Sequence, residues 1–167
     1  MLIGFYKSFS FMAIFYLEQI NQWYSMAKTK ETLNTDGLTF LEDGEVLYSS
    51  LYLLSETDEK GIITYASEGF MQVANMSAEE LYGQPHNIVR HPDMPRAAFK
   101  SLWDDVQAKG FWTGYVKNAR KGGGHYWVYA TVLRSVDKNG KTKYVSIRVK
   151  PSREDIRKAQ ELYETLD

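Results

Sequence analysis

The chain has 167 residues, enough for one domain with a sizeable hydrophobic core and additional segments. Its net charge of -1 argues against a general surface for nucleic acid or other polyanions. It contains no cysteine, which excludes disulfides, thiolate nucleophiles, Cys-ligated metal centres and covalent cysteinyl–flavin photochemistry. Aromatic residues make up 14% of the chain, a level shared by proteins that hold flat cofactors and by many β-rich cores.

Residues 1–50 are interpreted as an N-terminal helical and leader segment. Leu2 to Ile20 is apolar and aromatic, but its uncharged run is too short to span a bilayer. One interpretation is an amphipathic helix that packs on the domain, on a partner or on a membrane surface. The other is that residues 1–25 are an over-extended translation, because Met26 begins a stretch typical of a cytoplasmic start. Thr29 to Ser50 is polar with two turn signals.

The domain itself is predicted from residue 51 to residue 151. Leu51 to Thr57 and Ile62 to Ala66 are strand-like and are separated by a glycine-containing turn, which predicts a hairpin. Phe70 to Ala74 is an apolar cluster at helical spacing. Ser77 to Glu80 is a capping box that begins another short helix.

The stretch from Gly83 to Pro95, GQPHNIVRHPDMP, combines two of the three histidines with three of the four prolines. Prolines fix φ and push the residues before them out of helical geometry, so this segment is a stiff corner. A held backbone that carries a few polar groups among apolar ones is typical of a pocket wall. The alternative is a connector whose histidines cap neighbouring backbone groups.

The later half predicts one long helix and three strands. Arg96 to Lys109 has apolar residues at i, i+3, i+4 and i+7, and Gly110 ends it. Phe111 to Asn118, His125 to Val136 and Lys143 to Lys150 are strands separated by glycine-containing turns.

A C-terminal helix is predicted within residues 152–167, with Ser152 as its cap. One face of this helix carries Ile156, Ala159, Leu162, Tyr163 and Leu166. Such a face suffices for docking or for a short helix pair but not for a proven coiled coil. Five antiparallel strands, with helices between the second and third, make an α+β layout in which the covered sheet face forms an internal pocket.

Several motifs in this order coincide with those of one known family. They are Thr57-Asp58, Gly61 to Ala66, Glu80-Leu81, Gly83 to Pro95, Ala98-Phe99, Leu102-Trp103, Trp112 to Gly114, Val116 to Asn118 and Gly124 to Val128. From about Leu53 to about Leu166 the chain resembles a PAS domain, and specifically that of the aerotaxis-receptor family, which senses redox or energy state. The resemblance therefore implies a PAS fold, with the helices packed over one face of the sheet.

The resemblance also implies a cofactor and a partner. The family's best-known members bind FAD non-covalently and pass its redox state to a chemotaxis signalling module, and FMN or haem b are the alternatives. The chain is similar to single-domain members that are cytoplasmic, associate with the membrane only through a separate membrane-bound transducer, and are not enzymes. A homodimer, or a PAS module that docks a partner without any cofactor, is the competing interpretation.

Carried over by position, the candidate cofactor-binding residues are Arg90, His91, Asp93, Trp112 and Asn118. Trp112 suits stacking on a flavin ring, and the amide of Asn118 suits the donor and acceptor edge of that ring. Arg90 suits a phosphate or an anionic reduced flavin, with an ion pair to Asp93 as the alternative. For His91 the alternative is a purely structural role, which is to orient the loop.

Three further positions qualify this assignment. His86 is the candidate axial ligand if the cofactor is haem. Trp103 lies on the apolar stripe of its predicted helix, which favours packing in the core. Ser67 stands where the family commonly has Asn, and this shorter side chain leaves the type of flavin open.

Overall fold

The computed structural model describes residues 37–48 and 52–166. Two short strands come first, β1 (Leu38–Phe40) and β2 (Val46–Tyr48), followed by β3 (Leu53–Asp58) and β4 (Ile63–Ala66). Helices α1 (Glu68–Ala74) and α2 (Ala78–Leu81), a 3₁₀ turn (His86–Val89) and helix α3 (Arg96–Lys109) come next. Three long strands, β5 (Phe111–Ala119), β6 (His125–Val136) and β7 (Thr142–Val149), precede α4 (Arg153–Tyr163). The predicted N-terminal helix lies outside the described residues.

Strands β3 to β7 form one five-stranded sheet in the order β4-β3-β7-β6-β5. Every neighbouring pair in it is antiparallel, and β7 occupies the centre. The predicted α+β layout, with five antiparallel strands and the short helices between the second and third of them, is therefore confirmed.

Local signals in the sequence explain where the helices begin and end. The capping box is present, since the backbone N–H of Ser77 donates to Oε2 of Glu80 at 3.0 Å. Gly110 ends α3 with a φ of 84°, a left-handed conformation that glycine adopts without steric cost. Ser152 caps α4, because its Oγ accepts the backbone N–H of Asp155.

The main hydrophobic core lies between the sheet and helices α1 to α3. Phe70 and Val106 of the helices are completely buried together with Tyr126 and Val128 of β6. Because side chains alternate along a strand, Trp127 points to the opposite face of the sheet.

Helix α4 covers part of that opposite face. Its Ile156 and Ala159 are buried and form a second cluster with Trp127, against which Tyr163 also packs. Leu162 is 56% exposed, so the apolar face predicted for this helix is only partly used for packing on its own domain.

The segment interpreted as a polar leader contains a hairpin, β1–β2, which was not predicted. Its strands have only three residues each, too few to display the alternation that identifies a strand. The hairpin is anchored to the domain: the hydroxyl of Tyr48 donates to the carbonyl of Trp127 at 3.0 Å, and the N–H of His125 donates to the carbonyl of Gly44 at 2.9 Å.

Among residues 37–48 and 52–166, none of the helices combines the length and the hydropathy that a membrane span requires.

Candidate functional site

A cavity of about 280 Å³ opens between the inner face of the sheet and the segment that joins α2 to α3. Strands β3, β5, β6 and β7 supply its floor, and His86, Asn87 and Arg90 of the proline-rich corner supply one wall. Phe99, Leu102 and Trp103 of α3 close another side. The corner GQPHNIVRHPDMP is thus a wall of this cavity and not a remote connector.

Two of the five predicted cofactor-binding residues, Arg90 and Asn118, line the cavity. They are brought together by an isolated antiparallel bridge between their backbones. The guanidinium of Arg90 donates to the carbonyl of Met94 at 2.8 Å and lies over the ring of Phe99, 4.3 Å from its centroid. Arg90 is therefore held by its own corner and by α3, and its alternative partner Asp93 is paired elsewhere.

His91 and Asp93 do not line the cavity but brace the outside of the corner. Nδ1 of His91 accepts the backbone N–H of Asp93 at 3.2 Å, and Nζ of Lys117 pairs with Oδ2 of Asp93 at 2.6 Å. Partial burial lowers the pKa of His91, and the hydrogen bond from Lys117 lowers the pKa of Asp93. This arrangement ties the corner to β5 and matches the loop-orienting role considered for His91.

Trp112 also lies outside the lining of the cavity, contrary to the expectation that it faces a flavin ring. Its indole lies along its own strand over Gly114, where a Cβ would overlap Cζ2 of the indole. Trp112 is buried in the main core. The indole fits there because residue 114 is a glycine and has no side chain. The spacing of residues in the sequence does not reveal this contact.

Arg148 is not among the candidate residues identified from the sequence. Of the residues that line this cavity, it is the only arginine that lies on the sheet. It lies on the central strand β7 and is only 4% exposed. Its Nη2 donates to Oγ of Ser55 at 3.0 Å and to Nε2 of His86 at 2.7 Å, while its Nη1 has no hydrogen-bond partner. The neighbouring Ser146, whose side chain lies on the same face, also has a buried hydroxyl without a partner.

His86 is neutral in this environment. Burial, and then the positive charge of Arg148, lower the pKa of its imidazole to about 3. Because a guanidinium only donates, Nε2 of His86 is the acceptor and its proton resides on Nδ1. Axial ligation of a haem iron through Nε2 would require this atom to leave Arg148.

Trp103 and Ser67 also differ from their sequence-based interpretations. Trp103 is 37% exposed at the rim of the cavity instead of buried in the core, and its ring meets Tyr144 edge-on at a centroid distance of 5.1 Å. Oγ of Ser67 accepts the backbone N–H groups of Leu54 at 3.1 Å and Phe70 at 3.3 Å. Ser67 thus joins β3 to α1 and does not line the cavity.

Comparisons with known proteins agree with this architecture. The family described as PAS fold matches residues 63–149. The chain is 44% identical over 115 residues to the aerotaxis receptor of Escherichia coli strain K12. The match covers 69% of this chain and 23% of the receptor. It is 33% identical over 92 residues to phototropin-2 of Oryza sativa subsp. japonica, which covers 54% of this chain and 10% of that protein. The chain therefore spans less than a quarter of the length of these relatives.

Solved structures show the same fold. The light-state structure of the blue-light photoreceptor Aureochrome1 LOV superposes with a TM-score of 0.58 at 20% identity, over 67% of this chain and 91% of that chain. The PAS domain of a protein from Colwellia psychrerythraea superposes with a TM-score of 0.55 at 21% identity, over 61% of this chain and 87% of that chain.

Proposed function

Because the chain belongs to the PAS fold family, we propose that residues 51–151 are a sensor domain that binds a flavin non-covalently and reports redox or energy state. The observation that carries this proposal is the cavity itself. The corner that resembles the aerotaxis-receptor family lies on one side of it, and unpartnered polar groups of the sheet lie on the other. A surface used only for docking would not need buried, unpartnered polar groups in the lining of an internal cavity.

We propose that the cavity holds the ring system of the flavin. Its volume of about 280 Å³ lies just below the range of ligand pockets, about 300–1,000 Å³. A volume of this size would take the ring system alone, and the remainder of FAD or FMN would extend past the exposed side chains of Lys60 and Asn87, which also line the cavity. FAD is the cofactor that the family resemblance favours, with FMN as the alternative.

The described side chains suggest how the ring would be held. The buried amide of Asn118 offers a donor and an acceptor, and Ser146 and Arg148 offer buried groups without full hydrogen-bond satisfaction. Phe99 and Leu102 supply apolar contact. When bound, the flavin would supply reversible electron uptake, and the protein would orient the ring and limit its contact with water.

The absence of cysteine separates this proposal from thiol-based light sensing. Two of the matched proteins are named as a phototropin and a blue-light photoreceptor. This chain has no cysteine, so a covalent cysteinyl–flavin adduct cannot form in it. We therefore assign the signal to the redox state of a non-covalent flavin.

The proposed output passes through the sheet to a partner. Strand β6 places Ala130 and Val132 in the cavity and Trp127 on the opposite face, beneath α4. A change in hydrogen bonding on the inner face can thus bias the packing of α4 outside it. We propose a cytoplasmic protein that signals to a chemotaxis transducer in the membrane or a similar protein, as a monomer or a homodimer.

An absorbance spectrum of the purified protein tests the proposal. We expect flavin bands in the blue region, either as isolated or after incubation with FAD or FMN, and mass spectrometry of the released cofactor identifies which one is bound. A Soret band after incubation with haem would instead favour the haem-binding gas sensor. A protein that stays colourless with all three would favour the cofactor-free interaction module, which light scattering and partner pull-down would then examine.

A further inference from the structure

Arg148 is a buried cation without a matching anion. Its side chain lies on the central strand and is 4% exposed. The ion pairs found among residues 37–48 and 52–166 do not include it. The titratable groups that interact with it are His86, which is neutral, and the hydroxyls of Tyr48 and Tyr126, whose pKa values burial raises.

A buried charge without a counter-ion destabilises the folded state. An uncompensated charge in a protein interior is unfavourable by several kcal/mol, and for that reason buried cations are normally paired. Burial accordingly lowers the pKa of Arg148 to about 10, which still leaves the guanidinium protonated at neutral pH. The positive charge therefore remains in the cavity without a carboxylate of the described chain to balance it.

The contacts of Arg148 fix one side of the guanidinium and leave the hydrogen-bonding capacity of the other side unused. Nη2 is held by Ser55 and His86, and the whole group lies over the ring of Phe70, 4.9 Å from its centroid. Nη1 has no partner, although the residue lines the cavity. A rigidly held donor that carries a positive charge binds an anionic acceptor more strongly than a neutral one.

We propose that Arg148 determines the charge preference of this cavity, so that a ligand binds most tightly when its buried edge is anionic. The proposal rests on the proposed function in that flavin is taken as the ligand. Oxidised flavin is neutral at its ring. Uptake of two electrons and one proton, the proton at N5, leaves a negative charge at N1 and the adjacent carbonyl, which Nη1 of Arg148 would face.

The test compares Arg148→Met with the wild type, each loaded with FAD and reduced stepwise with dithionite. We expect at least a tenfold loss of preference for the reduced over the oxidised flavin, which for a two-electron couple lowers the midpoint potential by about 30 mV. Arg148→Lys, which keeps the charge, should lie between the two. Arg134→Met is the matched control, because it removes an exposed cation from the same sheet outside the cavity and should leave the potential unchanged.

A second measurement separates a ligand-directed role from a structural one. Without ligand, Arg148→Met should be at least as resistant to urea as the wild type, because it removes an unpaired buried charge. Its former partners can satisfy each other, since Oγ of Ser55 lies 3.0 Å from Nε2 of His86.

Each other outcome counts against the proposal. An unchanged midpoint potential in Arg148→Met would overturn it while the flavin assignment stands. If Arg148→Met and Arg148→Gln both fail to fold but Arg148→Lys folds, Arg148 is a structural cation and the proposal is wrong. A wild-type protein that takes up no flavin would refute the proposed function itself, and the charge preference for flavin with it.

Discussion

At the scale of single residues, Trp112 and Gly114 act as one unit. The indole lies where the side chain of residue 114 would be, so the ring packs against its own strand and joins the main core. Asn118, six residues further along the same strand, lies in the cavity instead. Two residues with the same predicted role are therefore expected to respond differently to substitution.

If the cavity binds flavin as proposed, Asn118→Ala should lower flavin occupancy with little loss of stability, because it removes polar groups from the lining of the cavity. Trp112→Ala should instead lower the free energy of unfolding by about 3–5 kcal/mol, since it empties a large volume in the core. Occupancy, measured by the ratio of flavin to protein absorbance, and urea unfolding distinguish the two effects. Full occupancy in Asn118→Ala would place the ring elsewhere in the cavity.

The sequence motifs led to Arg90 of the corner and Asn118 of β5, which line the cavity, but they did not lead to Arg148 of β7. Arg90 and Asn118 were found because they belong to motifs that resemble a family. Arg148 lies in a strand that alternates Tyr144, Ser146 and Arg148 with apolar residues, and such a pattern usually marks a solvent-exposed face. Only the tertiary packing of the corner and α3 over that face turns its polar residues into a cavity lining.

At the scale of elements, the bounds of helices and strands follow from short-range chemistry. The capping box at Ser77, the glycine after α3 and the cap at Ser152 are each a local interaction, so the sequence alone locates them. The β1–β2 hairpin is different, because it is anchored by hydrogen bonds to β6, which lies far along the chain. Its strands carry too little pattern to be predicted.

Ser152→Ala should destabilise the domain by about 1 kcal/mol, because it removes the acceptor for the backbone N–H of Asp155 at the start of α4. Ser135→Ala, at an exposed position near the end of β6, is the matched control and should have almost no effect. Urea unfolding at neutral pH measures both. Equal stability of the two variants would mean that α4 contributes little to the folded state.

At the scale of the whole molecule, all three histidines favour the neutral form in the folded state. Burial is the largest cause in each case, and the charge of Arg148 adds to it at His86, as that of Lys117 does at His91 and His125. An unfolded chain takes up these protons near pH 6.5, whereas folded His86 does so only near pH 3. The unfolded state thus binds more protons in this interval, and stability falls as the pH falls through it.

Urea unfolding at about pH 7.5 and about pH 5 should therefore show a lower free energy of unfolding at the lower pH. His86→Gln should reduce this difference, because glutamine keeps an acceptor for Arg148 but does not titrate. A pH dependence that is identical in His86→Gln and the wild type would show that His86 is not the source.

The overall architecture was predictable because strand alternation, turn glycines and helix caps all indicate the same α+β arrangement. The place of each side chain within the cavity was less so. It depends on whether a neighbour such as Gly114 leaves space, and on which sheet face the helices cover. Neither property can be inferred from the local pattern of residues.

The ion pair between Arg153 and Glu45, 2.5 Å long, has a mechanical consequence. Arg153 is the first residue of α4, and Glu45 follows Gly44, whose carbonyl is bonded to the start of β6 through His125. A force applied to α4 is therefore transmitted through the hairpin to β6, a strand that also lines the cavity. Tension on α4 therefore reaches two adjacent strands of the sheet: β7 at Val149, along the chain, and β6 at His125, through the hairpin.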